Sequence, residues 1–513
     1  MSKIIQKTLN ISLATVLAML VLLYIDVNVA HYCTQMDADI ASEAVLASDI
    51  AGSGFLVPDT WVSSTEDRVI STPNLAALLY PIVGNNMNLA MGISCSIMMV
   101  ILLAVMAVYF VQAGFELREI SLIFVILLAV SDINTENQSI LFLWACYYVS
   151  NFISLFINLI IYNSLIKNKK IHIIPLILSM ALTVLNGLQG MRGCLYCYFP
   201  LVAMEIVRAF VFFVNKRKYE KLTLIWLAVM ALINFAVAKV AGPDALGASR
   251  NIRHAGEKFL SEVVPSLNSV INYRLVPVLV VITCILAVVG YCLTLKKLAC
   301  EIRNYDDCER GNRQDVWGTF APVASLFICA LSTTFTTVEV APRYFITELF
   351  IVSIGMALFS RAFGEKIKVI VATCALIIGF FSLRYYYDGL IKGDNSRNTD
   401  EYKVSIWMQE NGYEYGYATF DFANSITTYS NNSVKVRSVN SMSEMEGCKW
   451  LSDSRWYPPT KSSDGECCYI ATEYSESDLK TFIDKNNVQV VDEEEIGIFR
   501  VFVFDHDYTL WER

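Results

Sequence analysis

The sequence predicts an α-helical, polytopic membrane protein that carries a small α/β domain at its C-terminus. Of the 513 residues, 55% are hydrophobic and only 17% are charged, whereas soluble chains have about 25% charged residues. The long apolar runs lie within residues 1–388, and residues 389–513 are polar and acidic. This composition excludes a soluble enzyme, and the net charge of −8 argues against a nucleic-acid partner.

Residues 1–388 contain the predicted membrane domain. A helix needs about 20 mostly apolar residues to cross a bilayer, and about eleven segments come near this length. The third of them is the shortest. They lie near residues 9–30, 87–112, 120–131, 140–164, 173–190, 195–214, 222–242, 275–295, 316–337, 344–362 and 367–387. We assign the segment 31–86 to an external loop of this domain and residues 389–513 to a separate soluble domain.

The distribution of basic residues predicts the orientation. Lysine and arginine concentrate in one alternating set of connecting segments, which is typical of the cytoplasmic side. That set includes Lys169, Lys170, Arg310 and Arg313. We therefore expect a multi-pass protein of the plasma membrane with a cytoplasmic N-terminus and an extracytoplasmic C-terminal domain. The external segments are then the place to look for chemistry, since the inner connections lack a nucleotide-binding signature.

Two carboxylates, Asp37 and Asp39, follow the first predicted span directly. Behind them, apolar residues recur at helical spacing, which predicts a helix along the membrane surface. These residues are Ile40, Ala44, Ala47 and Ile50. Asp39 is suited to cap this helix, whereas Asp37 adds charge without an evident benefit to it. Two close carboxylates also suit a general base with an orienting group, or with Asp39 as a ligand of a divalent metal ion.

Several external cations are candidates for binding a phosphate or a sugar. Arg343 and Tyr344 begin the tenth predicted span, with Glu339 nearby as a possible partner. Arg343 either reaches lipid head groups or binds a lipid-linked phosphate. Arg192 lies among three glycines, which suits either a ligand-binding turn or a flexible turn with an anchoring arginine. A further loop contributes cations, unless it is an ordinary solvated loop: Arg250, Arg253 and His254.

One charged pair lies inside a predicted span. Glu205 and Arg208 are three residues apart in the sixth span, so we expect them to neutralise each other on one helix face. The same pair is the best sequence feature for a transport function. The alternative to an enzyme is therefore a flippase, a polymerase or another transporter of polysaccharide or lipid-linked sugar. A transporter is expected to show internal repeats, and we find no convincing repeat.

The layout and two short motifs resemble the GT-C fold glycosyltransferases, including relatives of protein O-mannosyltransferase and aminoarabinose transferase. The first motif runs from Asp37 or Asp39 through Ala47 and Ile50 to Gly54, and the second is Arg343-Tyr344-Phe345. The Asp-Glu pair common in these families is Asp-Ala-Asp here, which leaves both aspartates as candidate bases.

The resemblance implies a hexosyltransferase-like enzyme. Such an enzyme moves a sugar from a polyprenyl-phosphate donor to an acceptor at the outer face of the membrane. The acceptor is a glycan, a lipid or a protein of the cell envelope, and membrane lipids surround the protein. A divalent metal ion is the only cofactor that we consider.

Overall fold

The computed structural model describes residues 3–132, 135–168, 173–242, 249–303, 316–457 and 463–509. Four basic residues used to predict the orientation lie outside this part of the chain: Lys169, Lys170, Arg310 and Arg313. The α-helices are, in chain order, α1 (Lys3–Ala30), α2 (Ala38–Gly52), α3 (Thr72–Leu79), α4 (Met87–Gln112), α5 (Leu117–Ala129), α6 (Thr135–Leu141), α7 (Val149–Asn168), α8 (Ile173–Gln189), α9 (Phe199–Val214), α10 (Leu222–Val240), α11 (Ala255–Lys258), α12 (Val264–Asn268), α13 (Pro277–Arg303), α14 (Ala321–Thr334), α15 (Thr347–Ala362), α16 (Glu365–Tyr386), α17 (Asp400–Asn411), α18 (Phe420–Tyr429) and α19 (Glu473–Asn486). The strands are β1 (Trp61–Val62), β2 (Tyr415–Thr419), β3 (Lys435–Val439), β4 (Ser452–Asp453), β5 (Ser463–Thr472), β6 (Val490–Ile496) and β7 (Phe499–Asp507).

The helices confirm the predicted membrane architecture. Among the described residues, nine helical stretches are long and apolar enough to cross a membrane, and α8 is a shorter apolar helix. The third predicted span corresponds to α5, which has only 13 residues and is almost entirely buried. Apolar helices of this length are more often core helices than spans, since about 20 residues are needed to cross the hydrocarbon.

The chain divides into two compact units. Unit 1 comprises Met1–Ile25, Thr65–Ile70 and Ile97–Gly389, and unit 2 comprises Asp26–Ser64, Ser71–Ser96 and Leu390–Arg513. The external segment 31–86 is thus divided between both units, with α2, β1 and α3 in unit 2. Our division into domains 1–388 and 389–513 remains a prediction about independent domains.

Unit 1 is a bundle of apolar helices that pack through small residues. At the crossing of α13 and α15, a side chain on Gly290 would come within 2.2 Å of the Gly355 carbonyl oxygen. Glycine therefore allows the two backbones to approach closely, as is common in membrane helix pairs. Buried hydroxyl groups add contacts to backbone carbonyls, such as Tyr24 Oη donating to Leu128 O at 3.0 Å.

Unit 2 contains a five-stranded mixed sheet with the strand order β3-β2-β5-β7-β6. β2 runs parallel to β3 and β5, and β7 runs antiparallel to β5 and β6. Strands alternate with α17, α18 and α19, which confirms the small α/β fold predicted for the C-terminal residues. The short strand β1 pairs antiparallel with β4, and α2 packs on α18 within the same unit.

Candidate functional site

A cationic cluster lies in unit 1 around the buried carboxylate of Glu66. Arg192 Nη1 lies 2.7 Å and Arg68 Nη1 lies 3.1 Å from Glu66 Oε2. Arg192 Nη2 also donates to Thr65 Oγ1 at 3.0 Å. One carboxylate thus faces two guanidinium groups.

Arg192 connects this cluster to the turn that carries Arg343. Its guanidinium carbon lies 4.6 Å from the centre of the Tyr148 ring, and that ring packs on Tyr196 at 5.0 Å. Tyr196 belongs to the π-helical segment Cys194–Tyr198, and its hydroxyl donates to Tyr344 O at 3.3 Å. π-Helical turns often occur at functional sites. The arrangement brings Arg192 and the Arg343–Tyr344 turn to opposite sides of two tyrosines.

The Tyr148 hydroxyl is buried, and the charges of both arginines act on it. Burial raises the pKa of Tyr148 to about 12, while the charges of Arg192 and Arg343 both lower it. The side chain is 1% exposed, and its hydroxyl has no hydrogen-bond partner among the described residues. Tyr148 therefore presents a neutral, buried hydrogen-bond donor, with the Arg192 guanidinium over its ring.

The charge of Arg192 is secured by its surroundings. Burial disfavours its charged form, but Glu66 and the tyrosines Tyr148 and Tyr196 together outweigh this, so its pKa is raised. The guanidinium therefore stays charged at every physiological pH. A fixed cation of this kind suits the binding of a phosphate.

The other predicted cations lie on an exposed loop. Asn251 N donates to Phe335 O at 2.9 Å, which ties this loop to the segment that precedes Arg343. This hydrogen bond joins the two backbones, while the candidate side chains are exposed at the surface. The exposed candidates are Arg250, Arg253, His254 and Glu339. The structure does not gather them around Tyr148.

The two candidate bases lie in unit 2 at the start of α2. Asp37 is the N-cap of this helix and accepts a hydrogen bond from Ile40 N at 2.8 Å. Our prediction that Asp37 does not help the helix is therefore wrong, because α2 begins at Ala38 and not after Asp39. Asp39 lies in the first turn instead, where a negative charge favours the helix. Both side chains are exposed, so an acceptor can reach either carboxylate.

The described residues contain no group of three or more His, Cys, Asp or Glu side chains placed to hold a metal ion. A metal site at Asp39 would need such additional ligands or oxygens supplied by a substrate.

Sequence reasoning missed Tyr148 and Glu66. Glu66 lies in a polar stretch of the sequence whose composition is that of a solvated loop, and only the fold shows that it is 5% exposed and bound by two arginines. Tyr148 lies within the fourth predicted span, near residues 140–164, where an aromatic residue is usually part of the packing. Its sequence position alone therefore does not distinguish it.

A second charged cluster lies inside unit 1 at the Glu205–Arg208 pair. Glu205 is fully buried and accepts hydrogen bonds from Arg208 at 2.8 Å and from Tyr162 and Tyr219 at 2.6 Å. Thr223 donates to the same carboxylate. The predicted pairing within one helix is confirmed, and three further donors from elsewhere in unit 1 complete it.

Comparison with known proteins identifies the fold. No family model matches the sequence, and no curated protein matches it. The structure is similar to the crystal structure of ArnT from Cupriavidus metallidurans bound to undecaprenyl phosphate, with a TM-score of 0.52 and 8% identity. It is also similar to the apo state of that protein, with a TM-score of 0.54 and 9% identity. Each comparison covers 96% of this chain and 97% of the other. ArnT is an aminoarabinose transferase with the GT-C fold, so the chain is a multi-pass membrane protein with an ArnT-like, GT-C fold, as the resemblance implied.

Proposed function

We propose that the protein is a membrane glycosyltransferase that moves a sugar from a polyprenyl-phosphate donor to an acceptor at the outer face of the membrane. The observation that carries this proposal is the chain of contacts in which Arg192 lies over the ring of the buried Tyr148, and Tyr196 links that ring to the backbone of the Arg343–Tyr344 turn. Two cations and a neutral donor match the chemistry of a phosphate group. The fold supports the same conclusion, since one similar structure is an ArnT bound to undecaprenyl phosphate.

The reaction needs two kinds of group. Arg192 and Arg343 stabilise the negative charge that grows on the lipid phosphate as its bond to the sugar breaks. Asp37 or Asp39 accepts the proton of the acceptor hydroxyl as that oxygen attacks the sugar. The products are the glycosylated acceptor, the free lipid phosphate and one proton. The acceptor is a glycan, a lipid or a protein, as the resemblance implies.

The function is tested by transfer from an undecaprenyl-phosphate-linked hexose in proteoliposomes. Loss of a general base lowers the rate by about 10²- to 10⁴-fold, so Asp37→Asn or Asp39→Asn should do so, depending on which is the base. Asp59→Asn is the matched control, because Asp59 is an exposed aspartate of the same unit. Full activity of both the Asp37 and the Asp39 variant would exclude the proposed base.

The orientation is tested separately. We expect a cysteine introduced at Asn411, an exposed residue of α17, to react with a membrane-impermeant reagent in intact cells. The native Cys300 is an internal control, since it is exposed and lies on the predicted cytoplasmic side. Labelling of Cys300 but not of position 411 would invert the orientation and exclude an extracytoplasmic reaction.

A further inference from the structure

The helix that carries the candidate bases belongs to the same compact unit as the C-terminal residues. α2 lies in unit 2 together with the five-stranded sheet and its helices. Its buried face extends from Ile40 to Ile50 and packs on α3 and α18. The position of Asp37 and Asp39 therefore depends on residues almost 400 positions later in the chain.

The N-terminal part of α2 is held by α18. Thr428 Oγ1 donates to Ala41 O at 3.4 Å, and Tyr429 Oη donates to Cys33 O at 3.5 Å. Both bonds are long, and both use backbone carbonyls close to Asp37. They hold the start of the helix against α18.

The C-terminal part of α2 is held by Trp456. The indole Nε1 of Trp456 donates to Asp49 Oδ2 at 3.1 Å. The Trp456 ring also packs edge-on against Trp61 of β1 at 5.6 Å. One side chain thus contacts both α2 and the strand that follows it.

Trp456 is itself fixed by an arginine of the sheet. The guanidinium carbon of Arg437 lies 3.9 Å from the centre of the Trp456 ring, and Arg437 is only 7% exposed. Arg437 lies in β3 directly opposite Tyr417 of β2, so the sheet sets its position. Cation–π contacts of this kind are strongest when they are shielded from water.

The hydrogen bond between Trp456 and Asp49 lies among several charged groups and is partly shielded from water. Burial raises the pKa of Asp49 to about 6, and Arg437 and Arg455 lower it while Asp453 raises it. Arg455 also donates to Ser53 Oγ at 3.3 Å, at the residue that ends α2. The end of the helix is therefore held by two side chains of the segment 453–456.

We propose that Trp456 is a positioning residue that aligns α2, and with it Asp37 and Asp39, through its contact with Asp49. This inference rests on the proposed function, in which those aspartates act on the acceptor. Asp37 lies about 18 Å from Asp49 along the helix at 1.5 Å per residue. A tilt of about 5° at Asp49 moves the Asp37 end by about 1.5 Å. A misplacement of 1 Å costs on the order of 10²-fold in rate.

The experiment combines hydrogen exchange and kinetics on the full-length protein. In Trp456→Phe, the ring remains over Arg437 but the N–H donor to Asp49 is lost. We expect the amides of residues 38–45 to exchange at least 10-fold faster. We also expect kcat to fall about 10²-fold with an unchanged KM for the undecaprenyl-phosphate-linked donor. Trp450→Phe is the matched control, since Trp450 is an exposed tryptophan of the same unit.

Substitutions of Asp49 test the same contact from the other side. Asp49→Ala should reproduce Trp456→Phe, whereas Asp49→Asn keeps an oxygen for the indole N–H and should restore both exchange and kcat. Ser53→Ala removes only the Arg455 contact, so we expect a smaller increase in exchange of about threefold. If Asp49→Ala does not fold, Ser53→Ala is compared with Trp456→Phe instead.

Two results would overturn the inference. One is exchange of residues 38–45 at the wild-type rate in folded Trp456→Phe. The other is a loss of kcat in Asp49→Ala without faster exchange in α2. Hydrogen exchange requires no turnover, so absence of transfer by the wild-type protein would defeat the proposed function while leaving the exchange result to decide the contact.

Discussion

The two charged clusters of unit 1 use similar residues but differ in how completely they are paired. In the Glu205 cluster, one fully buried carboxylate accepts bonds from one arginine, two tyrosines and one threonine. In the Arg192 cluster, one carboxylate faces two arginines, and the Tyr148 hydroxyl has no partner among the described residues. A carboxylate engaged by four donors holds helices together, whereas the buried hydroxyl of Tyr148 is suited to a ligand that brings its own acceptor.

This difference bears on the transport alternative. The Glu205–Arg208 pair was the best sequence feature for a transporter, because charges within a span often mark a substrate or proton path. The structure instead engages the Glu205 carboxylate with four donors. The pair therefore gives no specific support to transport.

The largest expected effect comes from breaking the saturated cluster. Glu205→Ala would leave Arg208 buried without its carboxylate, and breaking a buried ion pair costs about 3–5 kcal/mol. We expect a clear fall in the thermal unfolding midpoint in detergent, with unchanged activity per folded molecule. Glu220→Ala serves as the control at an exposed glutamate. A Glu205→Ala protein as stable as the wild type would remove the structural role.

The second largest effect concerns Arg343, a candidate cation for binding the donor phosphate. Arg343→Lys keeps the charge but loses the planar pair of donors, so a phosphate loses about one charge-assisted hydrogen bond, or 1.5–3 kcal/mol. This corresponds to about 10- to 100-fold in kcat/KM for the lipid donor, and Arg343→Ala should be worse. Arg274→Lys is the matched control, since Arg274 is exposed in the same unit. Equal activity of all three Arg343 forms would leave this arginine a membrane anchor.

The smallest effect concerns the unpaired hydroxyl. Tyr148→Phe removes a donor that no described residue uses, so stability should not fall. If the hydroxyl binds the donor phosphate, one hydrogen bond of about 1 kcal/mol is lost, and KM for the lipid donor should rise about fivefold. Because burial raises the pKa of Tyr148 to about 12, the hydroxyl stays protonated and the effect should be constant from pH 6 to 9. An unchanged KM would leave Tyr148 as packing only.

The secondary structure of both units follows from local sequence patterns. Strands such as β2, β3 and β7 are marked by alternation and by β-branched and aromatic residues, which are local signals and support the α/β fold predicted for residues 389–513. The apolar runs likewise predicted the membrane helices. The length of α5 was the main difference, since a buried core helix and a short span have the same composition.

The candidate site was predictable only in part. Arg192, Arg343 and Tyr344 stood out because an arginine near a membrane edge is conspicuous. They are linked through Tyr148 and Tyr196, which lie in segments distant in sequence. The periodicity of apolar residues along the chain is a local signal, so it cannot predict such a contact. The same holds for Asp37, whose capping role depends on where the helix actually begins.

The sequence by itself determined the membrane class, the helices and the α/β fold of the C-terminal residues. These properties depend on bilayer thickness and on side-chain alternation, which act over about 5 to 20 neighbouring residues. Only the tertiary structure decided that Glu205 has four donors while the Tyr148 hydroxyl has none among the described residues, and that α2 packs on α18 of the C-terminal residues. Hydrogen-bond partners and burial are properties of side chains brought together from distant segments, so they exist only once the chain has folded.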